Sequence, residues 1–140
     1  MTRTVLVDTG FVVALVNKTD PDHERCTAVW GDLHARLLTV EGVLVESTHM
    51  LRKARNGPAA AIGLLFDSAA KIIPASETRA RRAIALMAKY RDVPMDFVDA
   101  MLVVIAEERR ARDVLTLDRR GFEAYRILGR ERFRLLPEQA

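Results

Sequence analysis

Thr4-Val5-Leu6-Val7-Asp8 lies near the start of a chain of 140 residues. A short apolar, β-branched run followed by a break at Gly10 predicts a buried strand over about residues 4 to 8, with the Asp8 carboxylate at its C-terminal end. Val114-Leu115-Thr116-Leu117-Asp118 repeats the arrangement, with Arg119-Arg120-Gly121 as its stop. Between them, apolar segments of strand and helix length alternate. Leu37 to Val40 and Lys71 to Ile73, with Pro74 marking the end, read as strands, and Phe133 to Leu136 as a short edge strand. Helices are expected from Phe11 to Val16, from Asp20-Pro21 to near Gly31, and from Gly42 to Arg55, where Val43, Ser47, Met50, Leu51 and Ala54 recur at helical spacing. Gly57-Pro58 is expected to break that helix before another from Ala59 to Ser68. Ser76 reads as the N-cap of a helix with an apolar stripe of Ala80, Ala83, Ile84, Met87 and Tyr90. Phe97 to Ala106 is apolar all round and is predicted to run through the core. Strands separated by helices imply a mainly parallel sheet with helices on both faces, an α/β chain forming one domain over residues 1–140.

Composition agrees with that class and excludes others. The hydrophobic fraction is 49% and the charged fraction 29%, ordinary for a soluble globular protein. One cysteine, Cys26, excludes an intramolecular disulfide and fits a reducing compartment. The apolar stretch Val5 to Val16 is interrupted by Asp8 and followed by no small-residue cleavage site, and no run reaches the roughly 18 apolar residues of a membrane span. A cytosolic protein is expected. His23 and Cys26, with Asp20 and Asp22 nearby, resemble half a zinc site, but no second Cys/His pair has suitable spacing.

Four acids interrupt or end segments expected to be buried: Asp8, Glu46, Asp99 and Asp118. Each has a structural reading of its own. Asp96 is a natural N-cap for the core helix, Asp99 would sit in its first turn, Asp118 could begin a turn, and Glu46 could pair with Arg52 or Lys53. Their joint placement points elsewhere, because ligands of open parallel sheets bind beyond the carboxyl ends of the strands, where helices begin. An ionised carboxylate in such a place costs several kcal/mol, roughly, unless paired or metal-bound. Hard carboxylate oxygens without clustered His or Cys select Mg²⁺ or Mn²⁺. No Gly-rich loop ending in Lys-Ser/Thr is present, so a P-loop is excluded. A hard divalent ion among acids suits phosphodiester hydrolysis.

The charge balance fits a polyanionic substrate. There are 22 basic and 19 acidic residues, a net +3. Setting the four acids aside leaves 22 against 15, a scaffold of +7 around an acidic hole. Arg52 and Lys53 lie beyond Glu46, and Arg119 and Arg120 beyond Asp118, where they are expected to hold the phosphates of a nucleic acid. Arg79, Arg81, Arg82, Arg109, Arg110 and Arg112 are read as solvated surface. Aromatic residues make up only 6% of the chain, so no stacking platform is evident.

Val7-Asp8-Thr9, Asp20-Pro21-Asp22-His23, Glu46, Asp96-Phe97-Val98-Asp99-Ala100 and Thr116-Leu117-Asp118-Arg119-Arg120-Gly121-Phe122 follow one another at a spacing that resembles the PIN domain, and within it the VapC ribonuclease toxins of VapBC toxin–antitoxin systems. The resemblance covers nearly the whole chain and implies a PIN-like three-layer α/β/α fold. It implies a Mg²⁺-dependent endoribonuclease with Asp8, Glu46, Asp99 and Asp118 as metal-binding and catalytic acids, and Thr9, Asp96 or Thr116 in support. It also implies a homodimer inhibited by a small antitoxin of VapB type. Gly10 departs from the serine that many such toxins carry after Asp-Thr. Two rivals remain: a haloacid-dehalogenase-type phosphatase, which needs an aspartate where Gly10 stands, and a catalytically degenerate PIN-like module that binds RNA or protein.

Overall fold

The computed structural model describes residues 3–139, so the ends of the expected 1–140 unit extend beyond the described residues. β1 (Arg3–Val7) is central in a five-stranded parallel sheet of order β3-β2-β1-β4-β7, formed with β2 (Ala35–Val40), β3 (Lys71–Ile73), β4 (Asp113–Leu115) and β7 (Arg134–Leu136). A small antiparallel pair, β5 (Arg126–Ile127) and β6 (Glu131–Arg132), precedes the last strand. Helices α1 (Thr9–Val16), α2 (His23–Asp32), α3 (Glu41–Met50), α4 (Gly57–Asp67), α5 (Glu77–Lys89), α6 (Phe97–Arg109) and α7 (Arg119–Ala124) flank the sheet.

The strand order positions the site. The chain proceeds outward from β1 to β2 and β3, then returns past β1 to β4 and β7. Right-handed crossovers put the helices of the outward and return journeys on opposite faces. The direction therefore reverses between β1 and β4, and the crevice of such a sheet opens beyond the C-terminal ends of those two strands. Val5, Leu6, Val7, Val114 and Leu115 are fully buried there, so the crevice has a rigid apolar floor.

The core helix follows expectation from Ala100 to Ala106, every residue of which is buried, whereas its first residue, Phe97, is exposed. Several boundaries do not. Gly10 is no break; Asp8 ends the strand and caps α1 in the same residue, its carboxylate accepting from the Thr9 amide at 2.8 Å. α3 stops at Met50 rather than Arg55, leaving Met50 and Ala54 exposed, and Gly57-Pro58 starts α4, with proline in the first turn where no amide is required. The buried stripe of α5 runs through Ala83 and Leu86, and Ile84 is 59% exposed. β4 ends at Leu115, and the residues read as a stop form α7.

Gly57 shows why α3 and α4 meet so closely. A Cβ there would stand 2.4 Å from the Leu51 carbonyl oxygen, an atom of the backbone. Gly57→Ala should therefore destabilise the fold by about 2 kcal/mol or more, seen as a lower urea midpoint at unchanged slope. Gly63→Ala, whose new methyl group would meet nothing closer than Asp67 Oδ2 at 3.8 Å, should stabilise by about 0.5–1 kcal/mol.

Candidate active site

Asp8 is the innermost of the four acids, 7% exposed at the end of the central strand. Both oxygens are held: Oδ1 by the Thr9 amide at 2.8 Å and Oδ2 by the Thr116 hydroxyl at 2.7 Å. Thr116 is itself fixed, its amide donating to the Leu136 carbonyl at 2.9 Å and its hydroxyl accepting from the Asp118 amide at 3.0 Å. The Thr9 hydroxyl donates to Glu46 Oε1 at 2.7 Å and so draws α3 toward the end of β1. Both threonines named from sequence thus act on the acids directly.

Asp96 and Asp99 form a reciprocal cap at the start of α6. The Asp99 amide donates to Asp96 Oδ1 at 2.9 Å, and the Asp96 amide donates to Asp99 Oδ2 at 3.2 Å. Asp118 caps α7 through the Gly121 amide at 3.1 Å. The capping reading of Asp96 is therefore correct, and Asp118, expected to begin a turn, caps a helix; neither role excludes a shared pocket. Each cap uses one oxygen of Asp99 or Asp118 and leaves the other free.

Electrostatics tie the acids together. Burial pushes the Asp8 carboxyl up to about 6; the Thr116 and Thr9 hydrogen bonds oppose this, and the neighbouring Asp118 and Glu46 charges reinforce it. Burial likewise raises Asp99 to about 8, assisted by the carboxylates of Asp96, Asp8 and Asp118. None of the four acids makes an ion pair among the described residues. Asp113, a buried acid the sequence reading passed over, provides the contrast: it is bridged by Arg3 at the opposite end of the sheet.

Burial itself needs correcting. Only Asp8 is buried; Glu46 and Asp99 are half-buried and Asp118 is exposed, because the latter three stand on helix starts and faces around the crevice rather than on its floor. Among the described residues no three His, Cys, Asp or Glu side chains close into a ligand shell. The caps hold Asp99 and Asp118 toward their own helices, and the Thr9 hydroxyl holds Glu46 toward the start of α1. The donor set is nevertheless oxygen only and lacks a counter-charge, which suits a hard cation.

Other candidates fare differently. Glu46 pairs with neither Arg52 nor Lys53. Arg52 donates to the His49 carbonyl at 2.8 Å, and both basic residues are exposed on the turn after α3. Arg119 turns inward, 3.2 Å from Glu123 and donating to the Pro137 carbonyl at 3.1 Å, whereas Arg120 is exposed. Arg79, Arg81 and Arg82 pair with Glu108, Glu77 and Glu107, as surface charges do. His23 Nδ1 lies 2.7 Å from the Ala14 carbonyl, and burial pushes the Cys26 thiol up to about 11, so both serve the packing of α2.

Sequence reasoning missed Tyr125. It is fully buried, its hydroxyl donates to the Pro94 carbonyl at 2.7 Å, and burial together with the charges of Asp99, Asp118, Asp96 and Asp8 raises its pKa. The only sequence signal is its spacing four residues after Gly121. A Cβ at Gly121 would approach Asp118 Oδ2 to 2.6 Å and the Tyr125 hydroxyl to 2.8 Å, so glycine lets the acid and the phenol share one turn.

Residues 5–128 match the PIN domain family. The chain is 30% identical over 136 residues to Ribonuclease VapC26 of Mycobacterium tuberculosis, covering 95% of this chain and 100% of that protein. Its fold is similar to the crystal structure of Mycobacterium tuberculosis VapC20, a sarcin-ricin loop cleaving toxin, with a TM-score of 0.75, 21% identity, and coverage of 81% of this chain and 89% of that one. A toxin–antitoxin complex from Klebsiella pneumoniae contains a chain matched at TM-score 0.66 and 18% identity, covering 86% of this chain and 91% of that one. The reversal of strand order between the parallel neighbours β1 and β4, the acids gathered at it and the match over residues 5–128 agree: this chain belongs to the PIN domain family.

Proposed function

We propose that the chain is a divalent-cation-dependent endoribonuclease of VapC type, the toxin of a type II toxin–antitoxin pair, hydrolysing RNA phosphodiester bonds in the cytoplasm. The observation that carries the reading is a set of acids at the point where the strand order reverses: burial, reinforced by neighbouring carboxylates, raises Asp8 and Asp99, and none of the four has a basic partner among the described residues. Kinship with a protein named as a ribonuclease, along nearly the full chain, supports the same activity. Likeness to a chain of a toxin–antitoxin complex supports a small VapB-type antitoxin as partner, and a homodimer belongs to the same proposal.

Asp8 and Asp99 would be the principal ligands of Mg²⁺ or Mn²⁺, with Glu46 and Asp118 completing the set or orienting the attacking water. A divalent ion bound there supplies Lewis-acid polarisation of the phosphoryl oxygen and a lowered pKa for water. Thr116 and the Thr9 amide fix the plane of the Asp8 carboxylate. Thr9 leaves Glu46 Oε2 free, and the Asp96 cap sets the orientation of Asp99. With its carboxyl pushed up to about 8 by burial, Asp99 would lose its proton on holding a cation, and such binding would tighten as pH rises. Arg120, Arg52 and Lys53 are free to take flanking phosphates; Arg119 contributes only by leaving its internal contacts.

Cleavage of RNA by the purified chain should require Mg²⁺ or Mn²⁺ and stop in EDTA. Asp8→Ala and Asp99→Asn should each lower the rate by about 100-fold or more, the scale of losing charge stabilisation in the transition state. Full activity of Asp99→Asn would remove the assignment. Stability provides an independent check. A carboxyl whose pKa is raised by folding contributes stability that is complete below its unfolded value of 3.8 and is lost as pH rises through the folded value. In EDTA the melting temperature should therefore fall between about pH 4 and pH 8 through Asp8 and Asp99. Asp99→Asn should flatten that fall, and Mg²⁺ should raise the wild-type melting temperature more than that of the variant.

A further inference from the structure

A sizeable cavity lies away from the acids, at the end of the sheet where the strands begin. It measures about 500 Å³, within the range of small-molecule sites, and is lined by Thr4 of β1, Ala35 to Leu38 of β2, Ser68 and Ala69 after α4, Lys71 of β3 and Arg109 of α6. A second cavity of about 190 Å³ continues it along the same strand, sharing Ala35, Leu37 and Ser68 and reaching Leu33 and Trp30. The gap exists because β3 is short. β2 pairs with β1 from Ala35 onward, but with β3 only from Leu38, so residues 35–37 are covered on one side alone.

The lining divides by chemistry. Arg36, Lys71 and Arg109 are the basic residues of the lining, and among the described residues none of the three forms an ion pair. No acidic side chain lines either cavity. Helices of this fold end where strands begin, so part of the positive charge offsets the C-terminal dipoles of α4 and α6. Those helix ends already satisfy their carbonyls internally: Ser68 caps Leu64, Ala69 caps Phe66, and Ala111 caps Ala106. At the far end Trp30 provides an aromatic ring, packed at 6.2 Å from Phe11. Cations that grip phosphate, an apolar passage and an indole for stacking are the parts of a nucleotide site.

We propose that this double cavity binds a nucleotide, with its phosphate on Arg36, Lys71 and Arg109 and its base passing over Ala35 and Leu37 toward Trp30. The chemistry, a phosphate ester joined to a flat base, is shared by a free nucleotide and by one nucleotide unit of an RNA strand. Arg109, read from sequence as solvated surface, acquires a function here. The site is separate from the acids at the opposite sheet edge and does not depend on their cutting RNA.

Trp30 is the chain's one tryptophan, so its fluorescence reports on this place alone. The full chain in EDTA, where hydrolysis is off, is titrated with AMP, with inorganic phosphate and with a 2′-O-methyl trinucleotide. AMP or the trinucleotide should quench Trp30 saturably, and phosphate should compete without quenching. Calorimetry on Arg36→Gln/Lys71→Gln should show affinity reduced at least tenfold, the scale of removing two charged phosphate contacts. A circular dichroism melt verifies that this variant is folded, and the single variant Lys71→Gln, expected to lose affinity in the same direction, replaces it if it is not. Trp30→Phe should still bind by calorimetry. Equal affinity for AMP and trinucleotide would assign the site to a free nucleotide, and clearly tighter trinucleotide binding would assign it to the RNA strand. Absence of quenching by both ligands, or undiminished binding by the charge variant, would overturn the proposal. RNA cleavage measured separately in Mg²⁺ keeps this outcome distinct from that of the ribonuclease reading.

Discussion

A carboxylate withdrawn from water at the end of the central strand is the constraint on which the rest of the molecule depends. Asp8 cannot reach solvent freely, so its charge has to be met by donors brought to it: the Thr9 amide of the helix that begins at once, and the Thr116 hydroxyl from the neighbouring strand's exit. Satisfying Asp8 therefore sets where α1 starts and how β4 leaves the sheet. Through the second hydrogen bond of Thr9 it also sets how α3 lies. Other acids are then added near a group that already resists ionisation. Two carboxylates about 5 Å apart repel by on the order of 1–3 kcal/mol at an effective dielectric near 20. Such an arrangement without basic partners is the one that the proposed cation would relieve.

The contrast with Asp113 makes this specific. Both aspartates lie on adjacent parallel strands with little exposure, one where its strand ends and the other where its strand begins. Asp113 is neutralised by Arg3 and is a structural ion pair. Asp8 has hydrogen-bond donors but no counter-charge. Burial alone does not separate the two; the absence of a counter-charge at the open end of the sheet does.

The same distinction explains what could be read from the sequence. Strands such as Val5 to Val7 and a helix such as Ala100 to Ala106 are legible because burial on all sides leaves an uninterrupted apolar run, and their order alone implies the parallel sheet. The acids were legible as interruptions in those runs. Boundaries were not, because they depend on what a cap finds in space. Gly10 and Arg119-Arg120-Gly121 look like breaks, yet Asp8 and Asp118 reach forward to the following amides and convert both into helix starts. Arg119 and Arg120 were alike in sequence and differ in the fold, since the Pro137 carbonyl is within reach of only the first. Tyr125 carried no pattern of its own, and its place beneath the acids follows from Gly121 having no side chain.

The last strand acts on the pocket from outside the family match, which ends at residue 128. Leu136 accepts the Thr116 amide and Pro137 accepts the Arg119 guanidinium, so the tail fastens the segment that carries both Thr116 and Asp118. A proteolytic nick or an ill-placed C-terminal fusion tag near residue 134 would leave all four acids in the chain and still loosen the hydroxyl that orients the innermost one. The tail is a remote clamp on the acidic crevice, and an intact acid set is no guarantee of an intact site once it is trimmed.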